Sequence, residues 1–206
     1  MGKRDSLRRR RPYRDSLARI LIACEGKVTE PSYFNEIRHL ARIPIELVIR
    51  AGAVPKTLVE WAVKLKKDAL RKARKQKDDN QRYDQVWCVF DIDGHPFVPE
   101  SKQQARDNGI ELAISNPCFE LWVLLHFRDQ TSYIERGHLR HECKKFIPDY
   151  DKQLPAAKLL KLYPEALRRA RELDESQRKR GCDGDNPSTG VFKLMEQIET
   201  LGRKRG

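Results

Sequence analysis

No run of apolar residues in this 206-residue chain approaches the ~20 needed to cross a bilayer. A membrane is therefore not among the expected partners. The basic start of the chain is not followed by the apolar stretch and small-residue cleavage site of a signal peptide. Cysteine is sparse. The five cysteines, Cys24, Cys88, Cys118, Cys143 and Cys182, are odd in number and scattered, and no Cys-x-x-Cys pair occurs among them. That usage argues against a disulfide framework and for a reduced, cytoplasmic protein. Gly-rich phosphate loops are absent as well: neither a Walker nor a dinucleotide fingerprint follows any candidate strand. Acidic residues are outnumbered, 30 against 42 Lys and Arg, which leaves a formal charge of +12.

What is present suffices for a core. Hydrophobic residues make up 39% of the chain against 35% charged, so a folded protein is expected. The length fits one large domain, or one domain with a small appendage. The basic balance favours an anionic partner, of which nucleic acid is the commonest, although a merely soluble basic protein shares it. The charge is clustered. Residues 1–14 hold seven Lys and Arg against Asp5, and Arg8, Arg9, Arg10 and Arg11 are consecutive. Residues 1–16 read as a flexible arm that can neutralise phosphates, or as a solvated terminus. From Lys64 to Lys77 there are eight Lys and Arg against Asp68. Arg71, Lys72, Arg74 and Lys75 lie in this second cluster, which is either a phosphate-facing surface or a solvated helix face.

The hydrophobic pattern alternates between strand and helix. Ile20–Cys24 is a short buried strand ending at Glu25-Gly26. Thr29 is placed to cap a helix whose stripe includes Tyr33, Phe34 and Ile37. Ile45–Ile49 forms a second strand, and a long helix follows from Thr57 to about Lys77. Val86–Phe90 is a third strand, with Asp91-Ile92-Asp93-Gly94 directly after it. A short helix over Pro99–Asp107 leads to a fourth strand, Ile110–Ile114. Asn116-Pro117 is expected to cap and start a helix through Phe127. Further helices are expected at Tyr133–Phe146, Leu154–Glu175 and Pro187–Leu201, the last capped by Asn186. The βαβαβαβ order predicts a mostly parallel sheet with helices on both faces, spanning 17–128, and a helical C-terminal extension over 129–206.

In such sheets ligands collect outside the carboxyl ends of the strands. Glu25 follows the first strand, and Asp91 and Asp93 follow the third. Residues i and i+2 of an extended segment point to one side. Carboxylates brought this close repel one another, and a divalent cation removes that penalty. Mg²⁺ or Mn²⁺ suits oxygen ligands and can polarise a phosphate and activate water. Each motif alone is also an ordinary turn, and Lys27 or a nearby arginine can pair with the acids; their joint placement favours the metal. Glu120 is a further candidate ligand, since a Glu on a helix apolar nearly all round needs a partner or a metal. It equally fits a first-turn Glu bonded to an arginine. His126 reads as a core histidine. His138 and His141 lack further zinc ligands, and Asp183-Gly184-Asp185-Asn186 reads as a loop and not a calcium site.

Cys24-Glu25-Gly26-Lys27-Val28-Thr29-Glu30 and Phe90-Asp91-Ile92-Asp93 resemble the two motifs of the Toprim domain of topoisomerases, primases and OLD-family nucleases. With Ser115-Asn116-Pro117-Cys118-Phe119-Glu120-Leu121-Trp122 and its continuation to Phe127, and with Asn186-Pro187-Ser188-Thr189, the chain from about Leu17 to Leu201 resembles the RloB-like family. That resemblance implies a Toprim-like α/β core and prokaryotic antiphage defence, often beside an ATPase partner. It also implies Glu25 as acid/base or metal ligand and Asp91 and Asp93 as metal ligands. Further acids of OLD-type nucleases, which support a second metal, have no clear counterparts here. The expected function is Mg²⁺- or Mn²⁺-dependent cleavage of DNA or RNA, with Lys27 and the two basic clusters holding the backbone. The rivals are a non-catalytic nucleic-acid-binding or regulatory subunit and a phosphoryl- or nucleotidyl-transfer enzyme.

Overall fold

A computed structural model describes residues 18–92, 95, 97–148, 150 and 154–203. Strands β1 (Ile20–Cys24), β2 (Ile45–Ile49), β3 (Gln85–Asp91), β4 (Glu111–Asn116) and β5 (Ser188–Thr189) form one sheet in the order β2-β1-β3-β4-β5. The first four are parallel, and β5 pairs antiparallel to β4. This is the mixed α/β, mostly parallel architecture that the alternating pattern predicts, and it is consistent with the Toprim-like core that the resemblance implies.

Strand alternation divides the core. Ile20, Ile22 and Cys24 of β1 and Trp87 and Val89 of β3 face one hydrophobic cluster. Leu21 and Ala23, with Val86, Cys88 and Phe90, face the other. Helices α2 (Pro55–Gln76) and α3 (Val98–Asn108) cover the second face through Leu58, Val59, Ala62 and Ala105. The first face is covered by α1 (Thr29–Leu40), α4 (Glu120–Leu125), α5 (Arg136–Phe146), α6 (Ala156–Arg180) and α7 (Val191–Arg203). Its centre is aromatic. Tyr33 meets Phe34, Phe119, Trp122 and His126 edge-on, with ring centroids 5.6–6.2 Å apart. Such pairs each add about 0.5–1.5 kcal/mol beyond area burial.

From β1 the chain steps to β2 on one side and then crosses to β3 on the other. The winding therefore reverses between β1 and β3, and a crevice opens outside their carboxyl ends.

Three local expectations are corrected. Thr29 does not cap α1; it is the first helical residue, and Val28 precedes it without a side-chain cap bond. Asn116-Pro117 does not begin a helix. Asn116 ends β4, its bond to Pro117 is cis, and α4 starts at Glu120. The Asn116 side chain instead donates to the Gly184 carbonyl at 3.0 Å. Asn186 is likewise occupied elsewhere: its Oδ1 accepts from the Ile134 N–H at 3.1 Å and its Nδ2 donates to the Ile134 carbonyl at 2.9 Å. Ser188 and Thr189 extend as β5, and α7 begins only at Val191. Gly190 permits that path, because a Cβ there would lie 3.1 Å from the Ile114 backbone nitrogen.

Candidate metal centre

Four carboxylates come to the crevice from four places in the chain. Glu25 leaves β1 with its N–H bonded to the Val89 carbonyl at 3.1 Å, which fixes it at the β1–β3 junction. Glu30 follows in the first turn of α1 and is 6% exposed. Gly26 lets it approach: a Cβ on Gly26 would stand 1.7 Å from Glu30 Oε2. Asp91 ends β3 on the same face as Trp87 and Val89. Its Oδ1 accepts from the Phe119 N–H at 2.9 Å, and its Oδ2 pairs with Arg136. Glu120 opens α4 and is 3% exposed. Its Oε1 lies 3.3 Å from both Arg140 Nε and the Tyr150 hydroxyl.

Together these side chains line a cavity of about 210 Å³, with Lys27, Arg136 and Arg140. The two arginines come from successive turns of α5. His95 adds an imidazole whose Nε2 is 3.6 Å from Glu25 Oε1.

The electrostatics follow from four acids crowded in a poorly solvated place. Burial pushes the Asp91 carboxyl well above its usual range, and Glu30 pushes it further; Arg136 pulls down without offsetting them, and Glu120 and Glu25 add to the rise. Glu30 is raised to about 6, first by burial, with its own backbone N–H opposing and the Glu120 and Glu25 charges adding. Burial acts upward on Glu120 too, but the Cys118 thiol, its backbone N–H, Arg140 and Arg136 outweigh it and leave the carboxyl lowered. Burial, then Glu120 and Asp91, drive the Cys118 thiol far up, so it stays protonated.

Of the residues expected from sequence, Glu25, Asp91 and Glu120 line one cavity, and the exposed Lys27 lines it as well. Asp93 and Arg8, Arg9, Arg10 and Arg11 lie outside the described residues. Arg71, Lys72, Arg74 and Lys75 are exposed but are not brought to the cavity. They occupy the last turns of α2, about 24–30 Å along that helix from Pro55 at 1.5 Å per residue. From that end the chain passes through Asp79–Gln81 into the start of β3, so it lies at the amino edge of the sheet. His126 is a core residue, with Nδ1 2.8 Å from the Trp122 carbonyl.

Sequence reasoning assigned no site role to Glu30, Cys118, Arg136, Arg140 or Tyr150. A signal existed for Glu30: the first turn of a helix that follows a parallel strand sits over that strand's carboxyl end. For Arg136, Arg140 and Tyr150 none existed, because only tertiary closure brings α5 and its trailing loop back over β3.

The donor set is compatible with a metal ion. Asp91, Cys118 and Glu120 offer ligand atoms within 4.8 Å of one another. Carboxylate oxygens suit Mg²⁺ or Mn²⁺, and the protonated thiol is the poorest ligand of the three.

The fold and this cavity define the class: a Toprim-like α/β domain with an acidic cluster, compatible with metal binding, at its topological switch point. A family model described as RloB-like protein matches residues 20–198, and the chain belongs to that family. No curated protein and no solved structure matches it. Among the described residues, no helix is long and apolar enough to cross a membrane.

Proposed function

We propose that the cavity binds Mg²⁺ or Mn²⁺ through Asp91 and Glu120, with Glu25 beside them, and that the protein is a metal-dependent nuclease of Toprim type. One observation carries this reading. Glu25 and Asp91, at the carboxyl ends of adjacent parallel strands, open into the same cavity as Glu30 and Glu120. Burial first, and then the neighbouring acids, push Asp91 and Glu30 toward the protonated form; a cation is the natural counter-charge. When bound, it would supply Lewis-acid stabilisation of a phosphate and an activated water. Glu25, 3.6 Å from His95, is placed to hold or move a proton. Asp93 is assigned to the same metal set by its position two residues after Asp91.

Lys27 at the cavity, and the basic face of α2 further off, would hold the nucleic-acid backbone, with Arg8–Arg11 assigned the same role. The family resemblance supports antiphage, abortive-infection defence beside an ATPase partner. The second reading, a non-catalytic nucleic-acid-binding or regulatory subunit, is favoured by one feature: both Asp91 oxygens already have partners within the chain.

The deciding experiment is cleavage of single- and double-stranded DNA and RNA with Mg²⁺ or Mn²⁺, with the ATPase partner supplied. Asp91→Asn keeps the shape and removes the charge. Cleavage should fall by orders of magnitude while metal-free binding persists, because binding draws on the summed Lys and Arg field. Undiminished cleavage by Asp91→Asn would reject this site.

A further inference from the structure

The metal reading uses the acids of the cavity and leaves the arginines of α5 without a task. Arg136 and Arg140 are one turn apart, so both project from one face of α5 into the cavity. Arg136 pairs with Asp91 Oδ2, while Asp91 Oδ1 accepts from the Phe119 N–H. Arg140 Nε lies 3.3 Å from Glu120 Oε1. A cation directed to Asp91 and Glu120 therefore meets two guanidinium groups on the same carboxylates. Like charges on shared oxygens repel, so cation binding and arginine pairing oppose each other.

A guanidinium displaced from a carboxylate takes another anion. Its planar donor fork matches phosphate as well as carboxylate. The Arg136 and Arg140 side chains are 31% and 40% exposed, so both reach solvent where a ligand would enter. Resting on the metal-nuclease reading, we propose that Arg136 and Arg140 are the phosphate-binding residues of this cavity, exchanged from Asp91 and Glu120 to a nucleic-acid phosphate when a divalent cation takes those carboxylates. The exchange orders the events. Phosphate capture by α5 becomes available only once the metal is loaded, and the arginines then sit against the charge on which the metal acts.

The test needs two ligands: Mn²⁺ alone, and a thymidine bisphosphate, which carries phosphates but no diester to cleave. Both are titrated by calorimetry into the full chain, the bisphosphate in saturating Mn²⁺. Arg136→Gln should bind Mn²⁺ roughly tenfold tighter than wild type and the bisphosphate roughly tenfold weaker, the size of one charge-assisted hydrogen bond. Arg136→Lys, which keeps the charge but not the fork, should return the Mn²⁺ affinity toward the wild-type value and restore the bisphosphate affinity only in part. A merely structural role would weaken both ligands together, and that result overturns the proposal. Tighter Mn²⁺ with unchanged bisphosphate would make Arg136 a counter-charge only and also overturns it. If Arg136→Gln leaves Mn²⁺ affinity unchanged while Asp91→Asn abolishes it, the exchange is wrong and the metal site stands. If wild type and Arg136→Gln both fail to bind Mn²⁺, the site and the exchange fall together. Arg140→Gln, measured alongside, answers the same question should Arg136→Gln not fold.

Discussion

Replacing Glu30 by Gln removes one charge from the cavity while keeping the side chain's shape, and its effect on stability depends on pH in a defined way. Glu30 is 6% exposed, and its carboxyl is raised from 4.5 to about 6, chiefly by burial. The folded state therefore holds the proton more tightly than the unfolded one. Below pH 4.5 both states are protonated and the group contributes nothing. Between 4.5 and about 6 the unfolded chain ionises first, and stability falls as pH rises. Above 6 both states are ionised, and the full penalty of burying the charge is present. At about 1.4 kcal/mol per pH unit, the rise amounts to about 2 kcal/mol. Glu30→Gln does not carry this penalty. The loss of Glu30's charge also lets Asp91 ionise more easily, because Glu30 is the second cause of Asp91's rise after burial. Urea unfolding of both chains in EDTA, at pH 4 and pH 8, measures the difference. The stability of the variant relative to wild type should improve by about 2 kcal/mol between the two pH values. Any fixed effect of the amide cancels in that comparison. A pH-independent difference, or a variant that loses ground as pH rises, would refute the electrostatic account of the cavity.

Two other groups give separate tests. His126 is buried with Nε2 lacking a partner among the described residues, and its pKa is lowered from 6.5 to about 4 by burial, against the Trp122 carbonyl; a depressed base costs stability as pH falls from 6.5 toward 4, about 3 kcal/mol in all, and His126→Gln should flatten that part of the curve. Replacing Arg71, Lys72, Arg74 and Lys75 together by Gln should reduce the salt dependence of nucleic-acid binding by ~0.7–0.9 in log–log slope for each phosphate that is no longer neutralised; an unchanged slope, measured by anisotropy, assigns that end of α2 to solvent.

The sheet and half of the cavity were legible because they depend on local signals. Ile20–Cys24 and Val86–Phe90 are apolar runs of strand length, and parallel topology alone sends Glu25 and Asp91 to one edge. Asn116 and Asn186 misled because the same amide that caps a helix also bridges loops. Asn186 is bonded to Ile134, 52 residues away in sequence, and no local pattern reports such a partner. The reach of Arg136 across 45 residues to Asp91 is of the same kind. The acids of the site follow from strand order, whereas their counter-charges follow from how α5 packs.

The most direct test of the metal centre is a crystal of the protein soaked in Mn²⁺, with anomalous scattering measured above and below the manganese edge. The account predicts an anomalous peak in the cavity, bonded to Asp91 and Glu120 and faced by Glu25, and no peak in Asp91→Asn treated identically. A cavity without anomalous density at saturating Mn²⁺, with Arg136 still on Asp91 and Arg140 still on Glu120, would contradict it.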